Sequence, residues 1–488
     1  MSNSKKLKAI DAVFHPKNVV ILGASKNIMK WGTIILANII SGGYKGKVYP
    51  ISLKQAHILG IKAYKSITEL PETPDMVFIC LPADKTPEFV KICGKEKANT
   101  VVIIAGGFRE AGPKGELLED EIKKITKQYP FLNIIGPNTM GVCNPHIKLY
   151  ALMPTVTPEK GDIAFVSQSG NLGTQMMAFG MRQHIGFSKF VSSGNELILR
   201  TEDFIEYFGE DPDTKVIICY IEGIHDIKKF VRVCKEVSLK KPIIIFKAGK
   251  YKAGIRAAKS HTGALTGSYE LYQSIFKQCG IIEAKTTTEL IDYAKAFSRL
   301  PLLKGDKIGI ISWGGGWGVV TADQVVKAGL KVPPLSPATI EQIDKYLPPF
   351  WSKNNPIDLV GTLSRRAHLK TFEILYESGM DGIIALGIIV GGAFDVDKYK
   401  ACIEEEQEAI QAFKEEFDRS DFKFLKRMKK LMDTYQKPII GVSLMDNEKL
   451  LKENVVIYSM PEQAVQVMRK LYDYYQYRSK VQKSKTNS

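Results

Sequence analysis

The chain has 488 residues, of which 44% are hydrophobic and 25% charged; this excludes wholesale disorder and is enough for about three domains with separate cores. Lys and Arg together number 68 against 52 Asp and Glu, which gives a formal net charge of +16 at pH 7. No compact Lys/Arg block with interleaved aromatic residues occurs, so the charge favours an anionic cofactor or an acidic partner over nucleic acid.

The cysteines and the N-terminus indicate the compartment. The seven cysteines are scattered and contain no Cys-x-x-Cys motif, a pattern typical of reduced, buried thiols and not of disulfides or a zinc site. Met1–Lys8 is polar, predicts a loose tail and lacks the apolar core of a signal peptide, and no apolar run reaches membrane-spanning length. We therefore expect a cytoplasmic protein with no membrane segment and no metal site.

Residues 1–150 alternate short apolar strands with helical stretches, which predicts βαβ units and a doubly wound parallel sheet. Ligands bind such sheets at the carboxyl ends of the strands. The loop-forming residues predicted at these ends are Gly23, Ala24, Ser25, Lys54, Pro82, Ala105, Gly106, Gly107 and Asn138. The first loop is not G-x-G-x-x-G, and Lys54 stands where a ribose-binding carboxylate is expected. A lysine there suits a phosphate, so the sequence favours coenzyme A (CoA) over a nicotinamide cofactor.

Residues 151–303 predict a second α/β unit, entered through a proline-containing stretch, Tyr150–Lys160, that we interpret as a linker. Two of its strands are followed by Ser/Gly-rich strand-to-helix turns. The first contains Ser167, Gln168, Ser169 and Gly170, and the second contains Ser193, Gly194 and Asn195. Helix N-termini of this kind offer free N–H groups to an anion, although ordinary capping would produce the same pattern. The third strand ends at Glu222, which is either a solvated residue or a carboxylate that orients an imidazole.

One histidine, His261, lies in a run of small residues between Ala257 and Ser268. Small residues let a loop approach a ligand closely, and imidazole is a nucleophile that can carry a phosphoryl group. The alternative is a loop histidine that only bonds the backbone. A strand that ends at Lys247 precedes this loop, so His261 is predicted at the same sheet edge as Glu222. This shared edge favours phosphoryl carriage.

Residues 304–488 predict a third α/β unit. A glycine-rich turn, Trp313–Gly318, follows its first strand, and Asn355-Pro356-Ile357-Asp358 forms a turn with a capping aspartate. The charged stretch Glu404–Met432 has helical periodicity and predicts a solvated helix, and Arg478–Ser488 predicts a basic tail that frays.

Six motifs, taken in chain order, resemble those of the α subunit of ADP-forming acetyl-CoA synthetase, an NDP-forming acyl-CoA ligase related to succinyl-CoA synthetase. They are Gly23-Ala24-Ser25, Ser167-Gln168-Ser169-Gly170, Ser193-Gly194-Asn195-Glu196, Ser260-His261-Thr262-Gly263-Ala264, Gly314-Gly315-Gly316 and Asn355-Pro356-Ile357-Asp358. The resemblance covers nearly the whole chain. It implies a Rossmann-like CoA-binding domain over 1–150 and flavodoxin-like domains over 151–303 and 304–488.

The resemblance also implies a mechanism. Acyl-CoA and phosphate give an acyl phosphate and CoA, His261 takes the phosphoryl group while Glu222 orients the ring, and ADP then receives it to form ATP. The Ser167–Gly170 and Ser193–Asn195 turns would hold phosphate, and the strand ends of the first domain would hold CoA. ADP or ATP and Mg²⁺ are expected in an ATP-grasp β subunit, in an α2β2 hetero-oligomer that acts on a small carboxylic acid. A non-catalytic CoA-binding regulatory protein of the same fold is the alternative.

Overall fold

A computed structural model describes five parts of the chain: residues 3–256, 268–362, 364–388, 407–443 and 455–486. His261 lies outside these ranges. The chain divides into two compact units, Met1–Ala294 and Lys295–Ser488. None of the helices in the described ranges is both long and apolar enough to cross a membrane.

The first sheet of the first unit is parallel. Its elements, with the helices and the hairpin between its strands, are α1 (Asn3–Phe14), β1 (Asn18–Leu22), α2 (Trp31–Gly42), β2 (Lys47–Ile51), β3 (His57–Ile58), β4 (Ile61–Lys62), β5 (Met76–Ile79), α3 (Thr86–Lys95), β6 (Thr100–Ile103), α4 (Pro113–Gln128) and β7 (Asn133–Ile135). The strand order is β2-β1-β5-β6-β7. Every side chain of β1 is buried, because the sheet has a hydrophobic core on each face. The parallel sheet of short strands alternating with helices, predicted for residues 1–150, is confirmed.

The predicted N-terminal tail is wrong, because α1 begins at Asn3. Its far end is fully buried: the ring of Phe14 stacks on that of Tyr207, with centroids 5.5 Å apart, and lies 5.4 Å from that of Phe208. Phe14 thus packs against the helix Thr201–Glu210, and the lysine-rich sequence before it gives no sign of this contact.

The second sheet continues the first unit. Its elements are β8 (Gly141–Asn144), β9 (Leu149–Leu152), β10 (Lys160–Ser167), α5 (Gly170–Arg182), β11 (Phe187–Ser192), α6 (Thr201–Glu210), β12 (Val216–Ile221), α7 (Ile227–Val237), β13 (Ile243–Lys247), α8 (Tyr269–Cys279), β14 (Ile282–Ala284) and α9 (Thr287–Arg299). The order is β14-β13-β12-β10-β11-β8-β9, with β8 antiparallel to both of its neighbours. The linker interpretation of Tyr150–Lys160 is wrong at its start, since Leu149–Leu152 is an edge strand of this sheet.

The second unit contains a third parallel sheet. Its elements are β15 (Ile308–Ser312), α10 (Gly315–Lys327), α11 (Pro337–Asp344), β16 (Ile357–Asp358), α12 (Arg365–Glu377), β17 (Gly382–Leu386), α13 (Gln407–Tyr435), β18 (Ile439–Val442), β19 (Ile457–Tyr458) and α14 (Pro461–Thr486). The order within the described residues is β16-β15-β17-β18-β19. The charged helix predicted over Glu404–Met432 is confirmed from Gln407 onward as α13, and the first three residues of the predicted range lie outside the described ranges. The helix is not wholly solvated as predicted, because Phe424, Leu425 and Met428 are buried. The predicted frayed tail is wrong, because α14 extends to Thr486. The α/β fold class is thus confirmed in all three sheets.

Candidate active site

A cavity of about 440 Å³ opens where the carboxyl ends of the first and second sheets meet. The side toward the first sheet comes from the start of α2 and the loops after β5, β6 and β7, and consists of Trp31, Cys80, Leu81, Pro82, Ile104, Ala105, Gly106, Asn138, Thr139 and Met140. The other side consists of Met153, Gln168, Ser169, Gly170 and Asn171. The volume of the cavity lies in the range of small-molecule binding sites.

Residues predicted from both sheets meet at this cavity. They are Pro82, Ala105, Gly106, Asn138, Gln168, Ser169 and Gly170. The cavity wall does not include the predicted residues Gly23, Ala24, Ser25, Lys54, Gly107, Ser167, Ser193, Gly194 and Asn195. Sequence reasoning missed Trp31 and Met153, which reach the cavity from segments without a strand-end signal, and Met140, which lies two residues beyond the predicted strand-end residue Asn138.

The loop after β1 lies tightly against the end of β5. Gly23 has a φ of +89°, and a Cβ there would lie 2.4 Å from the Cys80 carbonyl oxygen. A Cβ on Gly32 would lie 2.8 Å from the carbonyl carbon of Gly23. The Ser25 N–H donates to Thr33 Oγ1 at 3.0 Å, and this hydroxyl donates back to the Ser25 carbonyl at 2.9 Å. Both glycines are therefore required by the close packing of backbone on backbone, and a CoA-binding role for Gly23, Ala24 and Ser25 stays a prediction.

The N-terminus of α5 forms one wall of the cavity. Its N-cap residue, Ser169, makes no side-chain capping bond, and the first hydrogen bond within the helix is donated by the Gly173 N–H to the Ser169 carbonyl at 3.0 Å. The N–H groups of the first turn therefore have no acceptor within the helix. Together with the positive end of the helix dipole, they make this wall suited to a phosphate or a carboxylate.

Gln168 ties this wall to the loop after β12. Its Oε1 accepts hydrogen bonds from the N–H groups of Glu222 at 2.6 Å and Gly223 at 3.1 Å, and its Nε2 donates to the Gly223 carbonyl at 2.8 Å. Glu222 itself is buried, and the Tyr220 hydroxyl donates to its carboxylate at 3.3 Å. Gln168 therefore fixes the position of the predicted orienting carboxylate.

Lys247 holds the same loop from the neighbouring strand. Its fully buried Nζ donates to the carbonyl oxygens of Glu222, at 2.8 Å, and Ala248, and lies 4.7 Å from the ring centroid of Tyr272. Burial lowers the pKa of Lys247 to about 8, and the charge of Glu222 opposes this shift. Hydrogen bonds of Lys247 thus hold the end of β13, which precedes the predicted histidine loop. The role of His261 and its pairing with Glu222 stay predictions.

The turn after β11 does not lead directly into a helix as predicted, because α6 begins only at Thr201. The turn is braced by its own side chains. The Ser193 N–H donates to the Ser167 carbonyl at 2.8 Å, and Ser193 Oγ donates to Glu196 Oε1 at 2.8 Å. Asn195 Nδ2 donates to carboxylates of the first sheet layer, described below. A phosphate-binding role for Ser193, Gly194 and Asn195 stays a prediction.

Glu196 carries a buried carboxyl group within this turn. Its Oε1 also accepts hydrogen bonds from the Thr201 N–H at 3.0 Å and from Thr201 Oγ1 at 2.6 Å. Burial, assisted by the charge of Glu202, raises the pKa of Glu196 to about 7. The folded protein therefore favours the protonated form of this group.

Replacement of Glu196 by glutamine is expected to flatten the pH dependence of stability. Because the pKa of Glu196 is higher in the folded state than in the unfolded state, ionisation of this group destabilises the fold by about 2–3 kcal/mol as pH rises from about 5 to about 8. Glutamine keeps the accepting oxygen and removes the charge. Urea unfolding at several pH values measures the slope, with the exposed Glu121→Gln as the matched control. If the free energy of unfolding of Glu196→Gln varies with pH as steeply as that of the wild type, the raised pKa assigned to Glu196 is wrong.

The side chains of Asn355 and Asp358 in the Asn-Pro-Ile-Asp motif bind backbone groups of the second unit, and the last two residues of the motif form strand β16. Asn355 Nδ2 donates to the Ile308 carbonyl at 2.9 Å, and its Oδ1 accepts from the Ile310 N–H at 2.9 Å. Asp358 Oδ1 accepts from the Val360 N–H at 2.8 Å. The motif therefore fixes the turn before β16 to β15.

Comparison with known proteins gives matches along most of the chain. Residues 17–145 match a CoA-binding domain, residues 160–297 a succinyl-CoA ligase-like flavodoxin domain, and residues 308–388 a ligase–CoA domain. The chain is 39% identical over 381 residues to subunit alpha of ADP-forming acetate–CoA ligase II from Pyrococcus furiosus, which corresponds to 78% of this chain and 82% of that one.

Two further relatives agree with these matches. The chain is 42% identical over 349 residues to the ADP-forming acetate–CoA ligase of Methanocaldococcus jannaschii, which corresponds to 72% of this chain but only 49% of that longer relative. A solved structure of dinucleotide-forming acetyl-CoA synthetase 1 from Ca. Korarchaeum cryptofilum, in complex with phosphate and ADP, matches with a TM-score of 0.82 and 31% identity. That match covers 97% of this chain and 98% of the other.

Proposed function

Because this chain belongs to the family of ADP-forming acetate–CoA ligase α subunits, we propose that it interconverts acyl-CoA, phosphate and ADP with a carboxylic acid, CoA and ATP. The cavity between the two sheets of the first unit is the observation that carries the proposal. In it, Gly106 and Asn138 from the CoA-binding segment face Ser169 and Gly170 at the start of α5. A thioester and a phosphate can thus share one site.

The residues that would hold CoA lie in the loops at the carboxyl ends of the strands of the first sheet. They comprise Gly23, Ala24, Ser25, Lys54, Pro82, Ala105, Gly106, Gly107 and Asn138. Of these residues, Pro82, Ala105, Gly106 and Asn138 line the cavity, which supports a binding role for this sheet edge. When bound, CoA supplies the thiol whose acyl ester is cleaved.

The first-turn N–H groups of α5 would hold phosphate while one of its oxygens attacks the thioester carbonyl and CoA leaves as the thiolate. Imidazole nitrogen of His261 then attacks phosphorus of the acyl phosphate, and the carboxylate leaves. ADP takes the phosphoryl group from His261, which restores the imidazole. Gln168 and Lys247 keep the Glu222 loop in place for this transfer.

The remaining assignments belong to the same proposal. ADP or ATP and Mg²⁺ would bind mainly in an ATP-grasp β subunit, within an α2β2 hetero-oligomer in the cytoplasm. The name of the Pyrococcus furiosus relative, a subunit alpha, supports a partner chain. The sequence predicted domains at 1–150, 151–303 and 304–488. The first boundary would instead lie between β7 and β8, since Gly141–Asn144 and Leu149–Leu152 are strands of the second sheet.

Reconstitution with an ATP-grasp chain tests the proposal. ATP formation from ADP and phosphate is expected to require acetyl-CoA or another acyl-CoA and to stop when either phosphate or the thioester is omitted. CoA binding by the chain without any turnover in the reconstituted complex would favour the regulatory alternative. Absence of CoA binding would overturn both assignments.

A further inference from the structure

A partly buried polar network joins the loop after β6 to the turn after β11. Glu110 Oε1 accepts hydrogen bonds from the N–H groups of Gly107 at 2.7 Å and Phe108 at 3.1 Å. Glu110 Oε2 accepts from Asn195 Nδ2 at 2.6 Å. One carboxylate therefore holds the proposed CoA loop with one oxygen and the turn after β11 with the other.

A second carboxylate fixes the direction of the Asn195 amide. Glu119 of α4 is completely buried, and its Oε1 accepts from Asn195 Nδ2 at 2.9 Å and from the Arg109 N–H at 3.3 Å. Its Oε2 pairs with Arg109 Nη2 at 2.8 Å, as a buried carboxylate requires. Since an amide NH₂ has two protons, Asn195 donates one to each carboxylate and has none left for another acceptor.

The network lies directly behind the cavity wall. A Cβ on Gly106, which lines the cavity, would lie 3.3 Å from Glu110 Oε1. The Asn195 N–H donates to the Pro137 carbonyl at 2.9 Å. Gly194, with a φ of +58°, packs so closely that a Cβ there would lie 2.2 Å from the same carbonyl. The loops after β6, β7 and β11 therefore cannot shift independently.

We infer that Glu110 is a positioning residue that couples the binding of CoA to the binding of phosphate, an inference that rests on the proposed function. CoA that fixes Gly106 and Gly107 also fixes Glu110 and, through it, Asn195. Ser193 of the same turn is bonded to Ser167, the last residue of β10, which lies three residues before the first residue of α5, Gly170. Each ligand therefore orders the wall that the other uses, and linkage requires that both affinities change by the same factor.

The substitution Glu110→Gln breaks this bridge while it preserves the size of the side chain. The glutamine Oε1 still accepts from Gly107 and Phe108, but its NH₂ group faces the NH₂ group of Asn195. Asn195 can present its oxygen to the glutamine only by turning its NH₂ group away from Glu119. Asn195→Ala removes the bridge from the other side, and the exposed Glu121→Gln on α4 is the matched control.

Calorimetric titration of the full chain with inorganic phosphate, with and without saturating CoA, tests the inference. We expect CoA to tighten phosphate binding by about 5–10-fold in the wild type and in Glu121→Gln. In Glu110→Gln and in Asn195→Ala the factor is expected to fall below about twofold, a loss of coupling that reduced stability alone would not produce.

Two results would overturn the inference alone: wild type that binds both ligands without mutual effect, or bridge variants that keep the wild-type factor. Wild type that binds neither CoA nor phosphate would overturn the proposed function as well, so the two failures are distinguishable. Circular dichroism of each variant confirms that it is folded before titration. If Glu110→Gln is unfolded, Asn195→Ala alone decides between these outcomes.

Discussion

Replacement of His261 by alanine is expected to abolish ATP formation by the reconstituted enzyme, with kcat lowered by roughly four to six orders of magnitude. The proposed reaction passes the phosphoryl group through this imidazole, and alanine offers no nucleophile. Binding of CoA, measured by titration, is expected to stay within about twofold of wild type, since the strand ends of the first sheet are unchanged.

A coupled assay for ATP with acetyl-CoA, ADP and phosphate measures this loss. His57→Ala is the matched control, because His57 is exposed on the β3–β4 hairpin and should leave kcat unchanged. Activity of His261→Ala within tenfold of wild type would contradict phosphoryl carriage by this residue.

Replacement of Lys189 by methionine is expected to destabilise the protein by about 3–5 kcal/mol, the cost of removing one partner from a buried ion pair. Lys189 lies on β11 and is completely buried, with its Nζ 2.7 Å from Asp211 Oδ2 and 3.1 Å from Asp213 Oδ2. Asp211 is also buried, so methionine leaves its charge without a cation. The turn that contains Ser193 directly follows β11. We therefore expect the variant to affect the proposed site only by lowering the stability of this strand.

Urea unfolding at pH 7 measures this effect. Lys240→Met removes the partner of Glu210 at an exposed pair and is expected to cost less than about 1 kcal/mol. The double variant Lys189→Met, Asp211→Asn should recover part of the lost stability, because it removes the uncompensated charge as well. Equal stability losses for the buried and the exposed lysine would contradict this interpretation.

The sequence predicted most of the sheets because their strands are short, apolar runs buried on both faces. It missed Leu149–Leu152, since the prolines at 154 and 158 dominate that stretch and its antiparallel pairing depends on β8. It also missed the early start of α1, because the lysines there conceal the contacts of Phe14 with α6. In both cases the deciding contacts come from residues distant in sequence.

For the candidate site, the sequence predicted Gly106, Asn138, Ser169 and Gly170 at strand ends, because ligands bind parallel sheets at that edge. It did not predict that the strand ends of the two sheets line one cavity. The pattern could not show whether a polar side chain faces a ligand or braces a turn. The amide of Gln168 is bonded to the loop of Glu222, a partner that local sequence does not identify.

Phosphopeptide mapping of the chain measures the proposed phosphoryl transfer most directly. The chain and its ATP-grasp partner are incubated with acetyl-CoA and radiolabelled inorganic phosphate, without nucleotide. We predict an acid-labile, alkali-stable label on the peptide that contains His261, formed only when acetyl-CoA is present. A label on another residue, or no label in a complex that forms ATP from these substrates once ADP is added, would contradict the proposal.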